Sequence, residues 1–292
     1  MEIQFQHEIV DDDSLAVYDR TLNRTHALRG MLAGRPAFLV CGGASLQSLD
    51  TSLLRKRGVW SMAVNNVAAH VRTNAFLCAD APSRFHQGIW LDPAVMKFLP
   101  FGNFNKSKGT LREKVGEEFR PLCNGRKQLT VRDMPNVWTF SKRHWMSLND
   151  TFFTDSDAAW GNLKDAEKRT KLPRTGCTML LAIRVMYYLG CRRIYLIGCD
   201  FQMKEEEKNY AFAQKTSRRD VNSNNRHYRN LNLWLTKMEK DGVFKRHSLE
   251  ILNCNPKSGL EAFQFSDYEN ALKDCVGRIP EGESLDCEGF YH

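Results

Sequence analysis

The residues with the clearest capacity for chemistry lie in a polar stretch, 204–229, that holds Tyr210, Arg218, Arg219, Arg226, His227, Tyr228 and Arg229. An imidazole titrates nearest neutral pH, so His227 is the side chain best suited to take a proton from a hydroxyl. A lone histidine in a basic segment is ordinarily a solvated surface residue, so the role needs support from its surroundings. A charged connection of this length reads as a lid over a site.

A second set stands just after short apolar runs: Gly42, Gly43 and Ser45, then Asn65 and Asn66, then Asp80, Asp200, Asn255 and Ser258. Ligands of open parallel sheets bind at the carboxyl ends of the strands, where these residues fall. Glycines in a first turn let backbone N–H groups approach a phosphate. Gly42-Gly43-Ala44-Ser45 is neither a dinucleotide fingerprint nor a Walker loop, so a plain tight turn explains it as well. Thr175-Gly176 opens a helix, as a cap or as a phosphate or carboxylate contact. Asp200 reads as a metal ligand or as a buried carboxylate holding loop N–H groups. No Asp-x-Asp accompanies it, which favours metal-independent chemistry and no bound metal.

The elements that must position these residues alternate. Ala37–Val40, Val59–Val64, Ala75–Ala79, Arg193–Gly198 and Leu249–Cys254 read as strands, and Gly176–Leu189, closed by Gly190, and Leu231–Lys240 as helices. The turn after Ala37–Val40 is expected to open a helix. Val137–Phe140 is a further candidate strand. Residues 1–35 read as an N-terminal helical extension on the spacing of Leu15, Tyr18, Leu22, Leu28 and Met31. The basic stretch from Phe98 onward reads as an insertion or mobile loop, about 98–170, with Asp155–Lys171 a polar connection. The remainder, 36–292, is expected to be one domain with its lid at about 201–230.

The 292 residues carry 42 Lys plus Arg against 34 Asp plus Glu, a formal charge of +8 that points to a polyanionic ligand. A nucleotide substrate with ordinary surface lysines satisfies that as well as an anionic glycan or DNA does. The apolar share of 42% excludes global disorder, and no apolar run is long enough to span a bilayer. The acidic start, Met1–Asp13, is unlike a signal peptide, so a cytoplasmic protein with its nine scattered cysteines reduced is expected.

Four blocks, in order, resemble the bacterial sialyltransferases of glycosyltransferase family 42 and the related domain of unknown function 115. They are FLVCGGASL (38–46), AVNN (63–66), Thr175-Gly176 with its helix and IYLIGCDF, and finally NYAF, RHY and CNPKS. The resemblance covers roughly 36–90 and 173–260. It implies an α/β fold, a Rossmann-like parallel sheet flanked by helices (a GT-A-like variant) with a polar lid subdomain.

The function implied is transfer of a sugar from a nucleotide-sugar donor, CMP-type in preference to UDP-type, to an acceptor hydroxyl with no other cofactor. His227 is then the general base and Tyr210 the hydrogen-bond donor to the departing phosphate. Asn65 and the Gly42–Ser45 turn hold the nucleotide, and Thr175 sits near the anomeric carbon. Gln202 replaces the family's second lid tyrosine, Gly42 its characteristic Asn, and, after Arg174, a single Thr175-Gly176 its Thr-Ser-Gly. These departures shift the expected donor away from sialic acid.

Two other readings compete. A pterin-type pyrophosphokinase would need a carboxylate pair for Mg²⁺, with Asp80 and Asp200 the available acids. A nucleic-acid-binding module on a vestigial nucleotide fold would use the basic 104–143 region with Trp138 and Trp145 for stacking. A hybrid, glycosylation of a hydroxymethylated DNA base, joins the charge to the transferase chemistry.

Overall fold

The computed structural model describes residues 16–19, 24–28, 30–100, 103, 109–115, 118–140, 152–153, 177–205, 208–214 and 216–277. Strands β1 (Ala16–Asp19) and β2 (Arg24–Ala27) form an antiparallel hairpin, with Ala16 opposite Ala27. This corrects the expected N-terminal helix. The polar run Asn23–His26 interrupts the helical stripe between Leu22 and Leu28, and the segment satisfies its backbone by pairing instead.

Among the described residues the main sheet has eight strands. Its chain-order members are β3 (Ala37–Val40), β4 (Trp60–Val64), β5 (Ala75–Leu77) and β6 (Met96–Pro100). Between β5 and β6 lies helix α1 (Gln87–Leu91). After β6 come two small hairpins, β7 (Arg112–Val115) with β8 (Glu118–Pro121) and β9 (Cys123–Asn124) with β10 (Lys127–Gln128). The sheet continues with β11 (Val137–Phe140), β12 (Arg193–Ile197), β13 (Glu250–Asn253) and β14 (Gln264–Phe265). Across the sheet the order is β11-β6-β5-β4-β3-β12-β13-β14, with every pair parallel.

The chain thus runs outward from β3 to one edge, then returns to lay β12 against the other side of β3. The order reverses between β3 and β12, and a crevice opens there at the carboxyl ends. β3 and β12 are continuous apolar runs because both faces of the sheet are covered. Ala37 and Leu39 face helix α2 (Thr178–Tyr188), whose residues Met179–Met186 are all buried, while Phe38 and Val40 face helix α5 (Tyr268–Val276). This alternation is the two-residue period of a strand.

The described residues of the expected insertion, 109–115 and 118–140 in the main, pack into the fold. β6 and β11 extend the sheet, and Leu111, Leu122, Val131 and Met134 pack on Phe76 and Trp90. Fully buried Lys97 donates to the Asp92 carbonyl and, at 2.8 Å, to that of Pro135. Such a cation inside an apolar run conceals a strand from sequence periodicity. The polar connection 155–171 lies outside the described residues.

Helix α3 spans Arg218–Lys240 and is followed by α4 (Val243–Arg246). Apolar spacing predicts this helix only from Leu231. Its true start is set by a capping box, in which the Ser217 side chain and Asp220 satisfy each other's backbone N–H groups. Its buried stripe is Val221, Leu231, Leu235 and Met238. Ser217→Ala is expected to cost about 1 kcal/mol, seen as a lower urea midpoint with an unchanged m-value.

Candidate functional site

A cavity of about 520 Å³ opens at the carboxyl ends of β3, β4, β5 and β12, over the reversal in strand order. That size suits a nucleotide-sized ligand.

Its floor is the turn after β3, where Gly43 has φ of −66°, so its glycine is needed for space and not for a left-handed backbone. A Cβ on Gly43 would lie 2.5 Å from Asp200 Cγ and 2.6 Å from the Gly198 carbonyl. Asp200, after β12, accepts from the Ser45 N–H at 3.0 Å, from the Ser45 hydroxyl, and from Asn255 Nδ2 at 2.9 Å. In place of the helix expected after this turn stand two short 3₁₀ turns, Ala44–Ser48 and Thr51–Arg55, and a carboxylate of the protein itself occupies the first-turn N–H of the former. The Ser258 hydroxyl donates to the Cys199 carbonyl at 2.6 Å and accepts from the Leu260 N–H at 3.0 Å. Asp200, Ser45, Asn255 and Ser258 therefore cross-tie the ends of β3, β12 and β13 beneath the cavity.

The cavity wall comes from the next two strand ends. Asn65, immediately after β4, has a left-handed backbone (φ 56°), and its Oδ1 is buried with no hydrogen-bond partner. A buried amide oxygen left unpaired costs about 1–3 kcal/mol unless something donates to it, and Asn65 is one of the residues around the cavity. Asn66 Nδ2 faces Gln214 Oε1 at 3.4 Å. Asp80, after β5, accepts from Arg84 at 3.0 Å, and its carbonyl accepts from Asn103 at 2.8 Å. Both acids after the strands line the cavity, and both carboxylates are already bonded within the protein. Among the described residues no cluster of three His, Cys, Asp or Glu side chains is placed to hold a metal ion.

The roof is the segment carrying Tyr210. It joins the first turn as a bridge, Gly43 opposite Tyr210, with the Ala211 N–H donating to the Gly42 carbonyl at 3.0 Å. The Phe212 ring lies 3.2 Å from where a Gly42 Cβ would be, and it stacks on His70 at 4.6 Å. A side chain at 42 would require the Phe212 ring to shift by a few tenths of an ångström. Burial raises the Tyr210 phenol above its ordinary pKa, keeping it a hydrogen-bond donor near neutral pH.

Helix α3 closes the remaining side with Asn224, His227 and Tyr228, spaced i, i+3, i+4 so that they share a face. Asn225 clamps the helix to the loop after β12, accepting from the Met203 N–H and donating to its carbonyl, both at 2.8 Å. Tyr228 stacks on Phe201 at 4.9 Å. His227 is half-buried, and desolvation holds its pKa below the ordinary value of 6.5, so at neutral pH it is a free base.

Of the sequence-derived residues, Gly42, Gly43, Asn65, Asn66, Asp80, Asp200, Gln202, Tyr210 and His227 meet at this cavity. Gln202 is tied to the Lys257 carbonyl at 2.9 Å. Ser45, Asn255 and Ser258 act beneath it, and Arg174, Thr175 and Gly176 lie outside the described residues. Trp138, considered for base stacking, is buried in β11, and Trp145 lies outside the described residues. Sequence reasoning missed Asn224 and named Tyr228 only as part of the lid, though the Ser217-x-x-Asp220 capping signature would have placed both on a helix. It also missed Cys41, Cys177 and Cys199 in the lining. Burial pushes the Cys177 thiol up to about 11, which leaves it protonated and unreactive at neutral pH.

No protein-family model matches the chain, and no curated protein sequence matches it. Among solved structures it is similar to the sialyltransferase CstII from Campylobacter jejuni, in complex with a substrate analogue, cytidine-5'-monophosphate. The identity is 16%, the TM-score 0.43, and the match covers 80% of this chain and 85% of that one. No described helix is long and apolar enough to cross a membrane.

Proposed function

We propose that the chain is a glycosyltransferase that moves a sugar from a nucleotide-sugar donor to an acceptor hydroxyl. The observation that carries this reading is the meeting, around one cavity at the strand-order reversal, of a desolvated imidazole and an unpartnered buried amide oxygen. Asn65 Oδ1 is an acceptor awaiting a donor, and the exocyclic amine of cytosine is one. The preference for a CMP-type donor comes from the residue blocks of the sequence.

In this mechanism His227 takes the proton of the acceptor hydroxyl as its oxygen bonds to the anomeric carbon. The bond from that carbon to the phosphate oxygen breaks, and the electron pair leaves with the nucleotide. The Tyr210 hydroxyl donates a hydrogen bond to the departing phosphate, stabilising charge where it develops. Transfer is proposed to need no metal: the Asp200 carboxylate already accepts from Ser45 and Asn255 beneath the cavity.

Titration calorimetry with CMP and UMP, followed by hydrolysis assays on a panel of CMP- and UDP-sugars, tests this reading. CMP is expected to bind more tightly than UMP, and Asn65→Ala to weaken CMP about tenfold, the value of one buried hydrogen bond. No nucleotide binding and no donor hydrolysis anywhere on the panel would overturn it.

A further inference from the structure

The outward side of α3 is not used by the cavity. The helix carries six basic residues, Arg218, Arg219, Arg226, Arg229, Lys237 and Lys240, and two acidic ones, Asp220 and Glu239. Arg218 pairs with Glu205 and Lys237 with Asp241, while Asp220 is turned to the cap at Ser217. Arg219, Arg226, Arg229 and Lys240 are exposed and form no ion pair with any described residue. Arg219, Arg226 and Arg229 fall in its first half, about 15 Å apart end to end at 1.5 Å per residue, and Lys240 stands at its far end.

We infer that this face of α3 is a docking surface for double-stranded nucleic acid, gripped by its phosphate backbone. Three of these four cations are arginines, whose planar forks suit phosphate oxygens. A duplex presents a charge about every 1.7 Å of its axis, so each arginine of this stretch has a phosphate within its reach. An anionic membrane fits less well. The apolar stripe of α3 is buried in the core, which leaves one exposed leucine, Leu233, and no apolar face to enter lipid. The cationic stripe also carries no aromatic ring on which a glycan could stack.

His227 follows Arg226 directly and faces the cavity, so a duplex on this stripe lies beside the mouth of the candidate site. The inference rests on the proposed function only in making that duplex the acceptor. The surface itself stands on charge and exposure.

Fluorescence anisotropy with a labelled duplex of mixed sequence, from about 50 to 200 mM salt, tests it. The full-length protein is expected to bind with steep salt dependence. R219E/R226E/R229E is expected to bind more than tenfold more weakly and to flatten the log–log salt slope by about 3, close to one for each phosphate that no longer has its arginine. R219Q/R226Q/R229Q, which keeps helix propensity, should flatten the slope similarly and retains the readout if the glutamate variant does not fold. Equal duplex binding by wild type and variants, absence of duplex binding, or binding to phosphatidylserine vesicles alone overturns the inference. CMP binding without duplex binding removes this surface and leaves the transferase reading; duplex binding without CMP binding does the reverse.

Discussion

His227→Ala is expected to lower transfer by about 10²–10⁴-fold, the worth of a positioned general base, while CMP affinity stays within about twofold. The separation follows from geometry. His227 comes to the cavity from α3, whereas the unpartnered Asn65 oxygen comes from the end of β4, so removing the imidazole leaves the proposed nucleotide contact in place. The pH profile supplies a second signature. Because desolvation lowers the His227 pKa, the base is neutral at pH 7 and protonates only below its ordinary 6.5. Turnover is therefore expected to be level near neutrality and to fall on acidification, with a midpoint under 6.5. His227→Ala should abolish that acid limb along with the rate. Unchanged turnover in the variant removes His227 from the mechanism.

Gly198→Ala is expected to destabilise the fold by about 3 kcal/mol, from combined backbone strain and overpacking. Gly198 sits where β12 ends beside β3, with φ of 62°, and a Cβ there would overlap the Cys41 carbonyl oxygen. That oxygen cannot yield easily, because the Cys41 N–H donates to the Ile197 carbonyl and the Gly43 N–H to that of Gly198, each at 2.8 Å. Relief would require the two strands to part at the cavity floor, loosening the Asp200 cross-tie with them. Gly125 is the control, since its φ of 59° is similar and nothing lies within 4 Å of its would-be Cβ. Gly125→Ala should cost only the left-handed penalty, about 1–2 kcal/mol. Chemical denaturation of the two variants side by side separates crowding from strain; equal midpoints would show that β3 and β12 do not meet this closely.

The difference between these two glycines, alike in backbone angle and unlike in surroundings, also marks the boundary of what is legible in the chain. Short apolar runs such as Phe38–Val40 and Ile194–Ile197 announce strands because a sheet covered on both faces needs apolar side chains on both. The residues after such runs fall at the ligand-binding edge by topology alone, and Gly42, Gly43, Asn65, Asn66, Asp80 and Asp200 do line one cavity. The cavity-facing half of α3 is harder to see, since only Val221 is fully buried before Leu231 and the remaining positions are polar. The hairpin at 16–27 is hidden by an interrupted apolar spacing that a helix and a pair of strands could both accommodate.

The sequence by itself determined the alternation of strands and helices and the residue types gathered at the strand ends, because burial periodicity and turn chemistry are local properties. Only the tertiary structure decided their offices. It set Asp200 against Ser45 and Asn255 as a cross-tie, left the Asn65 oxygen without a partner, desolvated His227, and turned the arginines of α3 outward. Each of these depends on which distant strand ends meet at the crossing of β3 and β12, and that meeting is fixed by packing across the whole sheet.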